Sequence, residues 1–386
     1  WVPNHTSIEH RWWTEHPDWY VWRDGRGPGG EEPPNNWVRA FPFPPALPAW
    51  TRDPATGRWY LHLFLPEQPD VDWDDPGLAG AMHDVLRFWM ARGVDGFRVD
   101  VAHCLGKDPA LPDDPPELAT IPHSSTHEHP RTHDHLRGIR AVLDEFEDRM
   151  AVGEIYLTGD GITERTAAYA GPDQLHLAFD FSPLFSRWGD PVRWRRRIGR
   201  IDAAYADTGG RWPTWVLSNH DNRRHRTRYG SEAAARAAAV LLLGVRGTPF
   251  LYAGEELGLE DAEIPADRRV DPGGRDGCRA PVPWTRSAPH GWGPEPWLPF
   301  PPPAGERSVE AQRDDPESVL ALYRRLLAAR RASAALRRGS LELLGGEEVV
   351  AWLRRDDASG DERAVVVDVA GGGAPVPHEL ARWVVE

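Results

Sequence analysis

From residue 77 onward, short apolar segments alternate with longer segments of helical periodicity. The clearest helix covers 77–92, where Leu78, Met82, Leu86 and Trp89 recur at helical spacing. Five strand–helix repeats follow one another, and this regular alternation favours parallel strands joined by crossover helices. Helices are predicted over 77–92, 133–149, 191–205, 231–245 and 316–332, and strands over 94–100, 151–155, 175–181, 214–217 and 248–252.

The repeats predict an α/β fold of the (β/α)8 TIM-barrel type. Counting residues 1–3 as the tail of one more strand gives six strands. The chain opens at Trp1 without an initiator Met, and we expect the first two strands and most of the third to precede it. Residues 6–76 lack periodicity and are too long for a structureless loop in a compact domain, so we predict a subdomain there. From about Leu341, short alternating strands predict a small antiparallel β domain.

Composition limits the partners. The 386 residues carry a net charge of -14, which opposes binding to nucleic acid and to anionic membranes. No run approaches the ~18 apolar residues of a membrane span. Cys104 and Cys278 cannot form a disulfide framework. A small neutral substrate fits this balance. No signal peptide is visible, so we predict a cytoplasmic bacterial location, and the oligomeric state stays open.

Three acidic residues follow predicted strands. Asp100, Glu154 and Asp221 each come after a short apolar run and before a polar loop. In a parallel barrel this position is the carboxyl end of a strand, where catalytic groups collect. Carboxylates presented together from different strands are what glycoside cleavage needs, so we predict sugar chemistry.

Five motifs in order carry a resemblance to a known family. The chain resembles glycoside hydrolase family 13, the α-amylase family, and within it the α-glucosidase and oligo-1,6-glucosidase branch. The narrower match lies at 60–62, 68–73 and 275–284. The family motifs are Val2-Pro3-Asn4-His5, Gly96-Phe97-Arg98-Val99-Asp100, Gly153-Glu154, Asn219-His220-Asp221 and the segment from Gly247 to Glu256.

The resemblance implies a domain organisation. Residues 1–335 would form the catalytic barrel, incomplete at its N-terminus, with the family's inserted subdomain after strand 3 at about 6–76. Residues 336–386 would form the C-terminal β domain, which is a candidate for truncation at Glu386. The family's loop after the first strand, which often holds a metal in this branch, would precede Trp1. We therefore predict no metal and no cofactor.

The resemblance also implies a retaining mechanism through two carboxyl groups. Asp100 would be the nucleophile that forms a covalent glycosyl-enzyme, and Glu154 would be the general acid and then the general base. Arg98 lies two residues before Asp100, so in a strand both side chains face the same side. A guanidinium there would hold the nucleophile ionised and oriented.

Other residues match the family's sugar-binding positions. Asp221 resembles the third carboxylate, which binds sugar hydroxyls and stabilises the positively charged transition state. His5 and His220 resemble the histidines that hydrogen-bond the glucose, and Arg279 resembles an arginine that closes the end of the glucose pocket. A group of histidines at 123, 127, 129, 133 and 135 lacks zinc-ligand spacing, and a solvated loop is the favoured interpretation.

Linkage specificity is less constrained than the reaction. The favoured activity is that of an α-glucosidase that removes non-reducing α-1,4-linked glucose from maltose and short malto-oligosaccharides. Val101, directly after the nucleophile, resembles the choice of enzymes that act on α-1,6 bonds, so an oligo-1,6-glucosidase is one alternative. A trehalose synthase-type isomerase or transglucosidase is another. A transport-associated subunit that has lost its acids is disfavoured because all three acids are present.

Overall fold

Strands and helices alternate through most of the chain in the computed structural model. It describes residues 1–41, 46–116, 128–206, 212–345 and 348–373. Two compact units divide the chain: the first covers Trp1–Phe179, and the second begins at Asp180. This division concerns packing, and the domain limits inferred from the resemblance stay a prediction.

The first unit holds the strands that carry two of the predicted acids. β4 (Gly96–Val99) pairs in parallel with β5 (Met150–Ile155), which places Arg98 opposite Val152, and the sheet continues to β6 (Leu177–Asp180). Its helices are α1 (Arg11–Glu15), α2 (Pro76–Met90), α3 (Arg131–Leu143) and α4 (Ile162–Ala167), and its strands are β1 (Trp22–Arg23), β2 (Trp50–Arg52), β3 (Trp59–Leu61), β4 (Gly96–Val99), β5 (Met150–Ile155) and β6 (Leu177–Asp180).

The start of α2 lies within one residue of the prediction, and a side-chain cap fixes it there. The carboxylate of Asp75 accepts hydrogen bonds from the backbone N–H groups of Gly77 and Leu78, which fixes the start of α2. Its buried residues include Leu78, Met82 and Leu86, as the periodicity predicts. α3 ends six residues earlier than predicted, because the chain leaves the helix at Asp144 and reaches a left-handed turn at Asp148 (φ 53°).

Aromatic side chains organise the region before α2. β1, β3 and β2 form a three-stranded antiparallel sheet in that order. Trp13 stacks on Trp22 with ring centroids 5.1 Å apart, and Tyr60 packs edge-on against Trp22. Residues 1–3 are not a regular strand, but Trp1 lies alongside β4. The amino group of Trp1 donates to Arg98 O at 2.9 Å, and its carbonyl accepts from Asp100 N at 2.9 Å.

The second unit continues the alternation and then changes to an antiparallel sheet. β7 and β8 are parallel, with Trp215 opposite Pro249, whereas β11, β10 and β9 are antiparallel in that order. Its helices are α5 (Pro191–Ala206), α6 (His225–Tyr229), α7 (Glu232–Gly244), α8 (Val309–Gln312), α9 (Val319–Ala332) and α10 (Ala334–Arg338), and its strands are β7 (Thr214–Val216), β8 (Thr248–Phe250), β9 (Ser340–Leu343), β10 (Val350–Asp356) and β11 (Asp361–Val367).

Serine hydroxyls cap several helices of the second unit. Ser231 accepts a hydrogen bond from Ala234 N at the start of α7, and Ser318 accepts one from Ala321 N at the start of α9. α9 therefore begins three residues later than predicted. Among the described residues, every helix falls short of the length and apolar character that a bilayer span requires.

A buried guanidinium joins the antiparallel sheet to the end of α7. Arg354 on β10 has no exposed surface. It donates to four backbone carbonyls: those of Gly244 at 3.0 Å, Leu336 at 3.2 Å, Gly339 at 2.9 Å and Ser340 at 3.0 Å. Burial and the neighbouring charges of Arg330 and Arg246 lower the pKa of Arg354 to about 9. The last carbonyl of α7 is thereby satisfied by a side chain.

The second unit also contains a carboxylic acid that favours its neutral form. Burial raises the pKa of Glu255 to about 8, although the Tyr252 backbone N–H and the Tyr323 hydroxyl hydrogen-bond to its two oxygens. The folded state binds the Glu255 proton more tightly than the unfolded state does. The stabilisation that this proton gives to the fold is therefore complete below about pH 4.5 and is lost as the pH rises through 8.

We expect Glu255→Gln to flatten the pH dependence of stability over this range. The wild-type free energy of unfolding should fall with a slope of at most about 1.4 kcal/mol per pH unit from this group. Urea unfolding at pH 5, 6, 7 and 8 measures the slope, and Glu256→Gln at the partly buried neighbour is the control. Equal slopes in wild type and Glu255→Gln would contradict the prediction.

Candidate active site

The ends of β4 and β5 bring Asp100 and Glu154 to the same edge of the sheet. Asp100 is the residue after β4, and Glu154 is the fifth residue of β5, whose partner in the parallel register is β4. Asp100 is partly exposed, whereas the Glu154 side chain is only 7% exposed. One carboxylate is therefore open to a ligand, and the other is enclosed by protein.

A single guanidinium joins the two carboxylates. Arg98 Nη1 donates to Asp100 Oδ1 at 2.5 Å, and Arg98 Nη2 lies 2.6 Å from Glu154 Oε1. The i, i+2 spacing in β4 puts Arg98 and Asp100 on one face, as predicted. Because one planar fork reaches both groups, the carboxylates are close together and no water layer separates them from their shared cation.

The turn after the nucleophile position supplies a further donor. Val101 has a left-handed backbone (φ 36°, ψ 45°), which is unusual for a β-branched residue. In this conformation its N–H donates to Glu154 Oε2 at 3.0 Å. Both oxygens of Glu154 are therefore held, one by Arg98 and one by the backbone next to Asp100. Such local strain is typical of functional sites.

His103 is a buried neighbour that sequence reasoning did not single out. Its Nδ1 lies 3.2 Å from the backbone oxygen of Glu154. Burial lowers the pKa of His103 to about 4, although the Glu154 carbonyl and the charge of Asp100 act in the opposite direction. The ring is therefore neutral at physiological pH and supports the end of β5. Its position three residues after Asp100 was the available signal.

His5 lies in the same unit on the segment that follows Trp1. Its ring packs against Phe64 with centroids 4.9 Å apart, and its Nε2 lies 3.2 Å from Gln68 Nε2. Burial lowers the pKa of His5, while the charges of Asp70 and Asp100 oppose this effect. A neutral imidazole is suited to hydrogen bonding with a sugar hydroxyl.

The second unit gathers the other predicted residues around Asp221. Arg279 Nη2 donates to Asp221 Oδ1 at 3.2 Å, and Arg279 Nε donates to the backbone oxygen of His220 at 2.7 Å. His220 Nε2 lies 3.3 Å from Asp221 Oδ2. The loop after β7 thus holds the carboxylate between an imidazole and a guanidinium.

Arg275 and Asp271 complete this cluster and were missed as site residues. Arg275 Nη1 donates to Asp221 Oδ1 at 2.7 Å, which is closer than Arg279, and Arg275 Nη2 donates to Asp271 Oδ1 at 2.6 Å. Burial acts to raise the pKa of Asp271, but the hydrogen bonds and charges of the two arginines outweigh it and lower that pKa. The spacing of Asp271 and Arg275 by four residues was a readable signal.

The histidine-rich segment is not simply a solvated loop. His133 and His135 lie on α3 and are partly buried, with His133 Nδ1 3.0 Å from Gln174 Oε1. The loop interpretation is wrong for these two residues because α3 begins at Arg131, whereas His123 and His127 lie outside the described residues. Within the described ranges, no group of three or more His, Cys, Asp or Glu side chains is arranged to hold a metal ion.

Comparisons with known proteins agree with the motifs. A family model described as "Alpha amylase, catalytic domain" matches residues 1–339. A probable alpha-glucosidase of Rhizobium meliloti (strain 1021) is 36% identical over 382 residues, which cover 89% of this chain and 68% of that protein. An oligo-1,6-glucosidase of Parageobacillus thermoglucosidasius is 31% identical over 431 residues, which cover 97% of this chain and 74% of that protein.

Solved structures of sugar-active enzymes also resemble this chain. The crystal structure of the alpha-glucosyl transfer enzyme XgtA has a TM-score of 0.85 and 33% identity, covering 94% of this chain and 72% of that one. The trehalulose synthase MutB from Pseudomonas mesoacidophila MX-45 has a TM-score of 0.84 and 29% identity, covering 95% and 73%. The similar proteins therefore include hydrolases and sugar-transferring enzymes of one architecture.

Proposed function

Because the chain belongs to the α-amylase family of glycoside hydrolases, we propose that it is a retaining α-glucosidase. Its fold is that family's (β/α)8 barrel with a C-terminal β domain. The proposed substrates are maltose and short malto-oligosaccharides, from which it removes the terminal non-reducing α-1,4-linked glucose. We further propose that residues 6–76 are the inserted subdomain, in keeping with the antiparallel sheet of β1, β2 and β3.

The observation that carries this proposal is the guanidinium of Arg98 shared by Asp100 and Glu154. Retaining glycosidases hold their two carboxyl groups about 5 to 5.5 Å apart, whereas inverting enzymes keep a wider gap that admits a water molecule. Direct contact of both carboxylates with one guanidinium, at 2.5 and 2.6 Å, favours the narrow arrangement.

The first step of the proposed reaction forms a glycosyl-enzyme. An Asp100 oxygen attacks the anomeric carbon, and the bond from that carbon to the glycosidic oxygen breaks. Glu154, entering the step protonated, gives its proton to the departing oxygen, which leaves as the alcohol of the shortened sugar. Arg98 balances the charge of Asp100 before attack and remains beside Glu154 when Glu154 becomes anionic.

The second step returns the enzyme to its starting state. Glu154 takes a proton from water as the water oxygen attacks the anomeric carbon, and the ester bond to Asp100 breaks. Two inversions give glucose in the α-configuration. For Asp221, His220 and His5 we propose the roles that the family implies, namely contacts to sugar hydroxyls, with Arg275 and Arg279 orienting Asp221.

Two relatives bear on whether the preferred bond is α-1,4 or α-1,6. The oligo-1,6-glucosidase is 31% identical and the alpha-glucosidase 36%, and Val101 after the nucleophile resembles the residue found in enzymes that act on α-1,6 bonds. The backbone N–H of Val101 donates to Glu154, so this residue lies directly beside the proposed acid. An oligo-1,6-glucosidase is therefore the second candidate function.

The test is a product analysis with the full-length gene product. Maltose, isomaltose, sucrose and trehalose are incubated separately, and the anomers released are followed by NMR before mutarotation. We expect maltose to be fastest and glucose to appear first as the α-anomer. Faster isomaltose cleavage would select the second candidate. Glucose appearing first as the β-anomer, or rearranged disaccharide with little glucose, would refute the hydrolytic retaining proposal.

A further inference from the structure

Lys107 is the one lysine among the 386 residues, and it is buried. Its side chain is 7% exposed, and its ammonium lies 2.9 Å from Asp70 Oδ2, whose side chain has no exposed surface. A buried pair of this kind gives little net stability, because desolvation offsets most of the attraction. Its position beside a predicted sugar-binding residue therefore suggests a different role.

Asn4 connects this pair to His5. Lys107 Nζ donates to Asn4 Oδ1 at 2.8 Å, and Asn4 Nδ2 donates to Asp70 Oδ2 at 3.0 Å. The three side chains thus form a closed ring of hydrogen bonds. The backbone of His5 also forms a β-bridge with Asp70. The position of His5 is therefore determined by the same groups that bind the ammonium.

The backbone of Lys107 is fixed with respect to the nucleophile. It follows the short helical turn Ala102–Cys104 that begins just after Asp100. Gly106 N donates to Thr132 Oγ1 at 3.0 Å, and a Cβ on Gly106 would come within 2.5 Å of Thr132 N. Lys107 consequently spans from the loop that carries Asp100 to the segment that carries His5.

The charges around His5 are opposed to one another. Asp70 and Asp100 favour the imidazolium form, whereas burial and the ammonium of Lys107 favour the neutral form, so the net effect lowers the pKa of His5. The nearest polar groups, Gln68 and Asn4, are neutral amides. Within the described part of the chain, Lys107 is the cation among the charged groups that act on the pKa of His5, and it offsets the neighbouring carboxylates.

We propose that Lys107 is a positioning residue: through Asn4 and Asp70 it holds His5 in place, and its ammonium offsets the carboxylate charges that act on the imidazole. The inference rests on the proposed function, because it assigns Lys107 to the sugar-binding role of His5. Lys107 itself touches neither the reacting atoms nor the carboxylates of Asp100 and Glu154 among the contacts of the described residues. It acts through its neighbours.

The test compares two neutral variants of Lys107 with a charged one. Lys107→Met removes the charge and the hydrogen bonding, Lys107→Gln removes the charge but keeps a polar amide, and Lys107→Arg retains the charge. The first readout is the titration of His5 by NMR of histidine-labelled, full-length gene product, with the signal assigned by its loss in His5→Gln. The second readout is kcat/KM for 4-nitrophenyl α-glucoside from pH 5 to 8.

We expect both neutral variants to raise the titration midpoint of His5 by about half a pH unit. Their kcat/KM should fall about twofold at pH 5.5 and recover toward the wild-type value at pH 8, where the imidazole is again neutral. Lys107→Arg should keep the wild-type midpoint. If Lys107→Met does not fold, Lys107→Gln carries the test because it leaves Asn4 and Asp70 with a hydrogen-bonding partner.

The control is Arg246→Met, which breaks a comparable partly buried ion pair with Asp202 at 2.9 Å in the second unit. It should lower stability and leave the His5 midpoint unchanged. Neutral Lys107 variants that fold but titrate His5 as in the wild type overturn the inference. Wild-type protein without activity on any α-glucoside would instead refute the proposed function, and the NMR titration would still test this inference.

Discussion

Replacing Asp100 by glycine is expected to lower kcat for an aryl α-glucoside by about 10⁴-fold or more and to transfer the attacking role to added azide. The space left by the carboxylate admits the small anion on the same face of the sugar. One inversion then gives β-glucosyl azide. Glu154 is unchanged in this variant and can still protonate the leaving group.

The matching change at the acid should give the opposite anomer. In Glu154→Gly, Asp100 still forms the glycosyl-enzyme from an activated aryl glucoside, and azide then attacks the intermediate in place of water. Two inversions give α-glucosyl azide. Removing general acid–base catalysis should cost about 10² to 10⁴-fold with natural sugars and less with 4-nitrophenyl glucoside, whose leaving group needs no proton.

NMR of the azide products separates the two roles. Asp95→Asn, at the other end of β4 and on an exposed side chain paired with Arg149, is the control and should keep kcat within twofold. The same azide anomer from both variants would show that Asp100 and Glu154 do not divide the work as proposed. Asp100→Gly with more than a tenth of wild-type activity would remove Asp100 from the mechanism.

The largest expected loss of stability follows from Arg354→Met. This change removes the guanidinium donor from the carbonyls of Gly244, Leu336, Gly339 and Ser340. Gly244 O keeps Trp352 Nε1 as a donor at 3.1 Å, whereas the buried carbonyl of Gly339 loses its contact with Arg354. Each buried polar group left unpaired costs about 1 to 3 kcal/mol. Relief of the desolvated charge offsets part of this cost. We expect the free energy of unfolding to fall by about 3 kcal/mol or more.

Urea unfolding of the full-length gene product measures this loss, and the next residue of the same strand is a matched control. Arg355 points to the other face of β10, where its exposed side chain pairs with Glu362 and Glu342. Arg355→Met should change the unfolding midpoint only slightly. Equal midpoints for the two variants would show that the carbonyl contacts of Arg354 contribute nothing.

The contacts within strands were predictable from the sequence, and those between loops were not. The apolar run before Asp100 and the two-residue spacing to Arg98 placed both side chains on one face of a strand. Helix α2 followed from its periodicity. These features depend on local spacing, which can be read directly from the amino-acid sequence.

Pairs between loops leave no periodic trace. Lys107 meets Asp70 across 37 positions, and Arg275 meets Asp221 across 54, with both partners outside regular elements. The region before α2 gave no strand signal, because β1, β2 and β3 contain two or three residues each and are held by packing of Trp22, Tyr60 and Trp50. Tertiary packing decides such segments.

The burial of Lys107 gives this chain a built-in chemical reporter. An amine-selective acylating reagent has one ε-amino target within these 386 residues, and in the folded state that target is paired with Asp70 beneath the surface. Acylation therefore requires an opening of this part of the chain. Mass spectrometry of the acylated peptide would measure the rate at which Lys107 is modified, and hence the rate of these openings, without any introduced label. Immobilisation through lysine would, by the same reasoning, select molecules that have already opened.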